Sequence, residues 1–389
     1  MPSRTRRRLL ALVGSATGCL AGCLSGAPPA GDLDGVDGEW PTNGGGPGGA
    51  RAVDAGPADP EPVWTTRLPD VRATGAPSLA DGRLYVPVDA VSERARHRYR
   101  LHALDAATGD ERWRVPLRSD PNPSPAVTAG RIVVSARRAT ERGRVVAFAK
   151  RYGDEEWLYD VDARLTAPPT ADGLAVYVPD WQGRVHALSA HDGTVRWARR
   201  VGADGDDRAF ADPVAVRDGT LYLGSRSGAT GVLAVDAATG DERWSRSTDV
   251  VTAGPVVDDD LVVVRTHGLV AAFDPDDGTR RWTAGVPGDD GRPFALGDRH
   301  VYVPADGTLH AIDRDGDGVW TYDLSGGRVG TPTVAGDAVI VCGDGELVAL
   351  SRTDGTRRWT TGADGCGEVL ATPNALFTTG PGGRVYAHG

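Results

Sequence analysis

The residues best able to do chemistry in this 389-residue chain are few and scattered. Asp313, Asp315 and Asp317, in DRDGDG, place carboxylates on alternate positions, like the first half of a calcium loop. The twelfth position of such a loop needs a bidentate Glu, and Leu324 stands there. The plain alternative is a shortened turn. Cys342 and Cys366 are the only cysteines beyond the N-terminal region, and in an oxidising compartment they could join as a disulfide or remain two buried thiols. The eight histidines lack metal-ligand spacing. His102, His186 and His310 recur at one repeat position and read as strand residues. Neither a Gly-x-Ser-x-Gly elbow nor a glycine-rich phosphate loop opening a helix occurs.

The strongest binding signal is basic. Arg94, Arg96, Arg98 and Arg100 lie in one connection, and Arg137, Arg138, Arg142 and Arg144 in the next equivalent one. Trp181, in DWQG, offers a stacking surface beside them. Asp204, Asp206, Asp207, Asp289 and Asp290 fall in connections of the same face, so the face is expected to be dipolar and able to steer an acidic protein, polymer or headgroup. The alternative is that these arginines are solvated and paired locally, with Glu93 and Glu141. A formal charge of -10 argues against general nucleic-acid binding, which needs a basic footprint.

Positioning these residues requires a scaffold, and the scaffold is a repeat. LHALDAATGDERWRV (101–115) recurs as VHALSAHDGTVRWAR (185–199), VLAVDAATGDERWSR (232–246) and LVALSRTDGTRRWTT (347–361), seven copies in all. Six copies set Ala ten residues before Trp, and all seven set Gly four before it. Each copy reads as strand, turn and returning strand, with Gly supplying the positive φ of the turn. Another pair of short strands precedes each copy, as in PVAVRDGTLYLGS (213–225). Units of about 40 residues with four strands are propeller blades.

Trp64, Trp113, Trp157, Trp197, Trp244, Trp282, Trp320 and Trp359 are spaced 38 to 49 residues apart, one more than the complete copies. PVWTTRL (62–68) has the context of a fourth strand alone, whereas the C-terminal EVLATPNALFTTGPGGRVYAHG has only the first three. The two fragments complete one blade. The expectation is an all-β, eight-bladed propeller of four-stranded antiparallel blades, closed by an N-terminal strand over residues 61–389.

Ala-x-Asp-x-x-Thr-Gly-x-x-x-Trp, intact at 103–113 and 234–244, resembles the tryptophan-docking motif of quinoprotein-like (PQQ-repeat) propellers. That superfamily includes quinone-dependent alcohol dehydrogenases and the BamB-type lipoproteins of outer-membrane assembly. The resemblance implies that the eight tryptophans dock between blades and are structural. It also implies what the enzymes need, adjacent cysteines against the quinone and a calcium site, and this chain has no adjacent cysteine pair. The expectation is therefore a non-enzyme without pyrroloquinoline quinone or calcium, a scaffold for a protein partner or an anionic surface polymer. The competing readings are a quinone-dependent dehydrogenase and a solute- or polysaccharide-binding protein.

Residues 1–22 read as an export signal. Arg6-Arg7-Arg8 precedes an apolar stretch too short to span a bilayer, and Leu20-Ala21-Gly22-Cys23 resembles a lipobox, with Cys23 as the lipid-bearing residue. Residues 23–60, rich in Gly, Pro and Asp, read as a flexible tether from a lipid anchor on the outer side of the cytoplasmic membrane. Lys150 is the only lysine among 43 basic residues, a bias expected of a GC-rich, haloarchaeal-like genome. A monomer is expected.

Overall fold

The computed structural model describes residues 31–389 except 92–97, 129, 203–207, 229–230, 289–290, 325–328, 344 and 365. Eight sheets form a ring, each with a ladder of antiparallel strands, in sequence order in all but the sheet that joins the two ends of the chain. Blade 3 shows the unit plainly: Thr170–Asp172, Ala175–Pro179, Arg184–Ser189 and Val195–Arg200. The first strands of neighbouring blades approach one another, so they line the axis. Second and third strands are almost wholly buried, as in VVVRT (262–266) and HVYVPA (300–305), whereas fourth strands alternate and face solvent. That gradient explains why the inner strands are runs of Val, Leu and Ile and the outer ones carry charge.

The repeat spacing has a register behind it. Ala103 pairs directly with Trp113, Ala147 with Trp157, Ala187 with Trp197, Ala234 with Trp244, Ala272 with Trp282 and Ala349 with Trp359. A bulge follows at each. In the sixth copy Ala311 still faces Trp320; the missing residue is absorbed in the turn, where Ile312 pairs with Gly318. A methyl opposite the indole leaves room for the ring to tip toward the next blade.

The ring closes as the split repeat requires. Pro62–Arg67 pairs with Arg384–His388, and Trp64 meets Ala387 as its counterparts meet theirs. The eighth sheet is thus built from both ends of the sequence, and its apolar cluster joins Trp64, Leu376, Phe377 and Val385 to the first blade's Leu79 and Leu84.

One expectation is corrected. Residues 135–144 were expected to be a long connection, but Arg131–Ala139 and Arg142–Ala149 run on as a hairpin. Asp120–Pro121 adds beside it as a further short strand. Arg137, Arg138 and Arg142 therefore sit on strands, with Arg138 at a bulge where the register shifts between Arg137 and Ala139.

Candidate functional site

Strand direction alternates within each blade, so the two sides of the ring differ. First-to-second and third-to-fourth turns emerge on one side, called here the turn face. Second-to-third connections and blade linkers emerge on the other, the loop face. The axial channel between them is occupied by the chain itself. Residues 31–60, expected from composition to be a tether, are packed against the ring, and 40–53 form a belt along the channel wall. Six of the eight inner strands each direct one amide onto a belt carbonyl. Leu79 N donates to Trp40 O (2.9 Å), Val127 N to Pro41 O (2.6 Å) and Val216 N to Pro47 O (2.8 Å). Val257 N donates to Gly48 O (2.9 Å), Leu296 N to Ala50 O (2.9 Å) and Val334 N to Arg51 O (2.8 Å). The belt thus visits blades 1, 2, 4, 5, 6 and 7 in order. It then adds Ala52–Val53 as a parallel strand on Thr333–Ala335.

The correction has a physical cause. Eight inner strands present unpaired edge groups to a narrow channel, and buried backbone groups need partners. Glycine lets a strand come close enough to supply them: a β-carbon on Gly48 would lie 2.6 Å from Val257 O. Trp40 is 2% exposed and Arg51 4%. Arg51 holds an unusual positive φ of 53° because its side chain is fixed. Nε donates to Pro332 O (3.0 Å), Nη2 to Val369 O (3.1 Å), and Glu368 lies 2.9 Å away. Burial lowers the Arg51 pKa, against the opposing pull of Glu368.

On the loop side of the belt lies a cavity of about 70 Å³ lined by Asn43, Gly44, Arg51, Asp212, Pro255 and Phe294. Burial pushes the Asp212 carboxyl up to about 6, with Arg226 3.1 Å away opposing the rise. Sites for cofactor-sized ligands span ~300–1,000 Å³. The cavity of about 70 Å³ is smaller than that, and the sequence has no adjacent cysteine pair to face a quinone.

The expected arginine cluster is assembled in part. Arg94, Arg96 and Glu93 lie outside the described residues, as do Asp204, Asp206, Asp207, Asp289 and Asp290. Arg98 grips Asp89 through two 2.7 Å bonds, and Arg72 reaches the same carboxylate at 3.6 Å. Arg137 pairs with Asp120, and Arg142 with Asp162 (3.5 Å). Asp160 takes both Arg144 (2.8 Å) and Arg138 (3.2 Å). The partners of these described arginines are aspartates, and doubling on Asp89 and Asp160 leaves cations in excess. Trp181 is 37% exposed and not a bare platform, because the Arg164 guanidinium stacks on it at 5.1 Å. Sequence reasoning missed that loop's anchor: buried Asp180 accepts from Gln182 N (2.8 Å), Arg184 N (2.9 Å) and lies 3.0 Å from His186 Nε2. Only the one-letter spacing Asp-x-Gln-x-Arg-x-His hints at it.

The remaining candidates have structural settings. The Asp313 carboxylate accepts from Asp315 N (3.0 Å) and Asp317 N (2.8 Å), a tight turn, and among the described residues no group of three or more His, Cys, Asp or Glu is placed to hold a metal. Trp64 Nε1 donates to Ala106 O (3.2 Å), Trp113 to Lys150 O (3.1 Å), Trp157 to Ala190 O (3.2 Å) and Trp197 to Ala237 O (3.0 Å). Trp244, Trp282 and Trp320 donate likewise to Pro275, Arg314 and Arg352. Each indole lies under the turn glycine of the next blade. Trp359 faces the split blade, whose third and fourth strands come from opposite ends of the sequence and share no turn. Cys342 and Cys366 are joined by a disulfide, tying blade 7 to the linker into blade 8. Cys23 lies outside the described residues; no described helix is long and apolar enough to cross a membrane.

Comparison with known proteins agrees with this geometry. A family model described as outer membrane protein assembly factor BamB matches residues 46–268 and 266–389. Among curated relatives, BamB of Nitrosomonas eutropha is 27% identical over 62% of this chain and 58% of its own length. BamB of Burkholderia pseudomallei is 27% identical over 74% of this chain and 78% of its own. The serine/threonine-protein kinase AfsK of Streptomyces griseus is 32% identical over 40% of this chain but only 18% of its own length. The chain thus spans less than two thirds of the length of Nitrosomonas BamB and of AfsK. Among solved structures, quinohemoprotein alcohol dehydrogenase from Comamonas testosteroni superposes with a TM-score of 0.70 at 15% identity, covering 90% of this chain and 80% of that one, which is a likeness of fold. The chain belongs to the PQQ-like-repeat propeller family described by the BamB model.

Proposed function

We propose that this protein is an exported, lipid-anchored propeller that acts without catalysis, as a scaffold docking a protein partner or an anionic surface polymer on its loop face. The carrying observation is the belt. With the axial channel taken up by the chain's own backbone, recognition falls to the faces of the ring. On the loop face, blades 1 and 2 bring Arg72, Arg98, Arg137, Arg138, Arg142 and Arg144 onto shared carboxylates. Exposed pairs of this kind are worth ~0.2–1 kcal/mol each, so an acidic partner exchanges them at little cost. The BamB relatives, named for outer membrane assembly, support a partner-binding role. In a cell without an outer membrane the same surface would serve another assembly.

The test is capture from native membranes with the full chain and with a variant reversing Arg94, Arg96 and Arg137 to Glu. Loss of the captured partner is expected, and unchanged capture refutes the site. Addition of pyrroloquinoline quinone with calcium is expected to give neither a spectral shift nor dye-linked alcohol oxidation; either result refutes the scaffold reading.

A further inference from the structure

We infer that the belt fixes the propeller's orientation at the membrane, holding the turn face against the lipid headgroups and the loop face outward. The inference rests on the proposed lipidation of Cys23. Its geometry comes from where the described chain begins. Gly31 N donates to Val63 O (3.1 Å), at the start of the eighth blade's outer strand, and Leu33 N to Ala107 O (3.0 Å), in a third-to-fourth turn of blade 1. Asp37 N donates to Asn374 Oδ1 (2.9 Å) and Asn374 Nδ2 to Gly35 O (3.2 Å), at the first-to-second turn of blade 8. All four contacts lie on the turn face. From Gly31 onward the chain is fixed to the ring, so the anchor leash is the eight Cα-to-Cα steps from Cys23 to Gly31, not the stretch up to residue 60. Fully extended, eight steps reach at most about 29 Å.

The ring is too thick for that leash to be indifferent to its orientation. Second strands run 5 to 9 residues, and at about 3.3 Å per residue the two faces stand ~17–30 Å apart. A leash leaving the turn face must cross that thickness before the loop face can meet the bilayer. Part of the charge on the turn face is neutralised. The face is rich in aspartate, and five of its carboxylates are paired: Asp105 with Arg112 (2.7 Å), Asp236 with Arg243 (2.8 Å), Asp258 with Arg314 (2.7 Å), Asp81 with Lys150 (2.7 Å), and Asp274 with Arg281. The short leash, not charge, sets the orientation, and the cation-rich face is left free for a partner.

The experiment uses the full chain isolated with its anchor and reconstituted into phosphatidylglycerol vesicles carrying a headgroup-labelled acceptor lipid. A donor is placed on His191→Cys, on the turn face, or on Glu141→Cys, at the tip of the blade 2 hairpin on the loop face, with the native disulfide intact. Energy transfer is expected to be several-fold stronger from position 191. Inserting 40 Gly/Ser residues between Ala30 and Gly31 is expected to erase the difference. Equal or reversed transfer without the insertion overturns the inference. A chain that does not float with vesicles overturns the lipidation reading instead. The same two labels are then compared after coupling Cys23 to a maleimide lipid, where a stronger signal from position 191 upholds the belt geometry and equality rejects it.

Discussion

Replacing Arg51 with Met tests the belt at its most committed residue. Met keeps the β-carbon and an aliphatic stem, so the backbone cost of φ 53° is common to both chains. The substitution removes the donors to Pro332 O and Val369 O, in a setting where Arg51 is 4% exposed. Pro332 O is left buried without that donor at a cost of ~1–3 kcal/mol, whereas Val369 O keeps its bond from Thr333 Oγ1 (2.9 Å). Glu368 also loses its cation, but at 31% exposure it recovers part of that interaction from water. The expected loss is about 2–3 kcal/mol, from the unpartnered Pro332 carbonyl and the partly screened Glu368. Urea unfolding measures it, and limited proteolysis locates it, because residues 31–60 should become cleavable before the blades do. Glu368→Gln is the control, with a loss of ~1 kcal/mol or less expected for a screened partner. If Arg51→Met unfolds within ~0.5 kcal/mol of the parent, the ordinary range of a surface change, and its belt resists protease, the reasoning fails.

Other outcomes follow from the same contacts. Gly48→Val is expected to dislodge the belt, since even a β-carbon would lie 2.6 Å from Val257 O; unchanged protease resistance of residues 31–60 would contradict this. Trp157→Ala is expected to cost about 3–5 kcal/mol in unfolding experiments, because the indole is bonded to Ala190 O and roofed by Gly193. Cys342→Ser with Cys366→Ser is expected to lower stability by about 3 kcal/mol, since the bond closes a loop with a sequence separation of 24; equal stability with and without reductant in the parent would refute it. His388 is fully buried with both ring nitrogens unpartnered, and burial lowers its pKa to about 4. Below pH 6.5 the unfolded chain therefore binds the proton first, so His388 contributes a fall of ~3 kcal/mol as pH drops from 6.5 through 4. It is opposed by Asp212, whose raised pKa of about 6 adds stability as pH falls. The His388 contribution is read as the difference between the parent and His388→Leu, and identical pH profiles for the two would acquit the histidine.

The blades were legible because their signal is local and repeated. Ala faces Trp across one ladder in every blade, and a Gly turn closes over the indole of its neighbour, so spacing alone reports both contacts. The split blade was legible for the same reason, as two fragments of one pattern. The belt was not, because TNGGGPGG carries no periodicity and its composition is that of a linker. Here glycine serves close approach to inner-strand backbone, a need set by edges more than a hundred residues away. Trp40 was the one available warning, a large indole in a stretch that otherwise reads as solvent-exposed. The arginine cluster was readable as types on one face, but not its pairing, which depends on Asp120 and Asp160 arriving from neighbouring strands. The anchor of the Trp181 loop, Asp180 against His186, needed the hairpin register to be seen.

Hydrogen exchange of the folded chain at single-residue resolution tests the central claim most directly. The amides of Leu79, Val127, Val216, Val257, Leu296 and Val334 all point into the channel, and only the belt supplies their acceptors. Protection at all six, together with the belt amides Trp40 and Arg51, to near the global unfolding free energy is the expected result. Exchange of those six within seconds, with residues 31–60 behaving as a free tether, would contradict it.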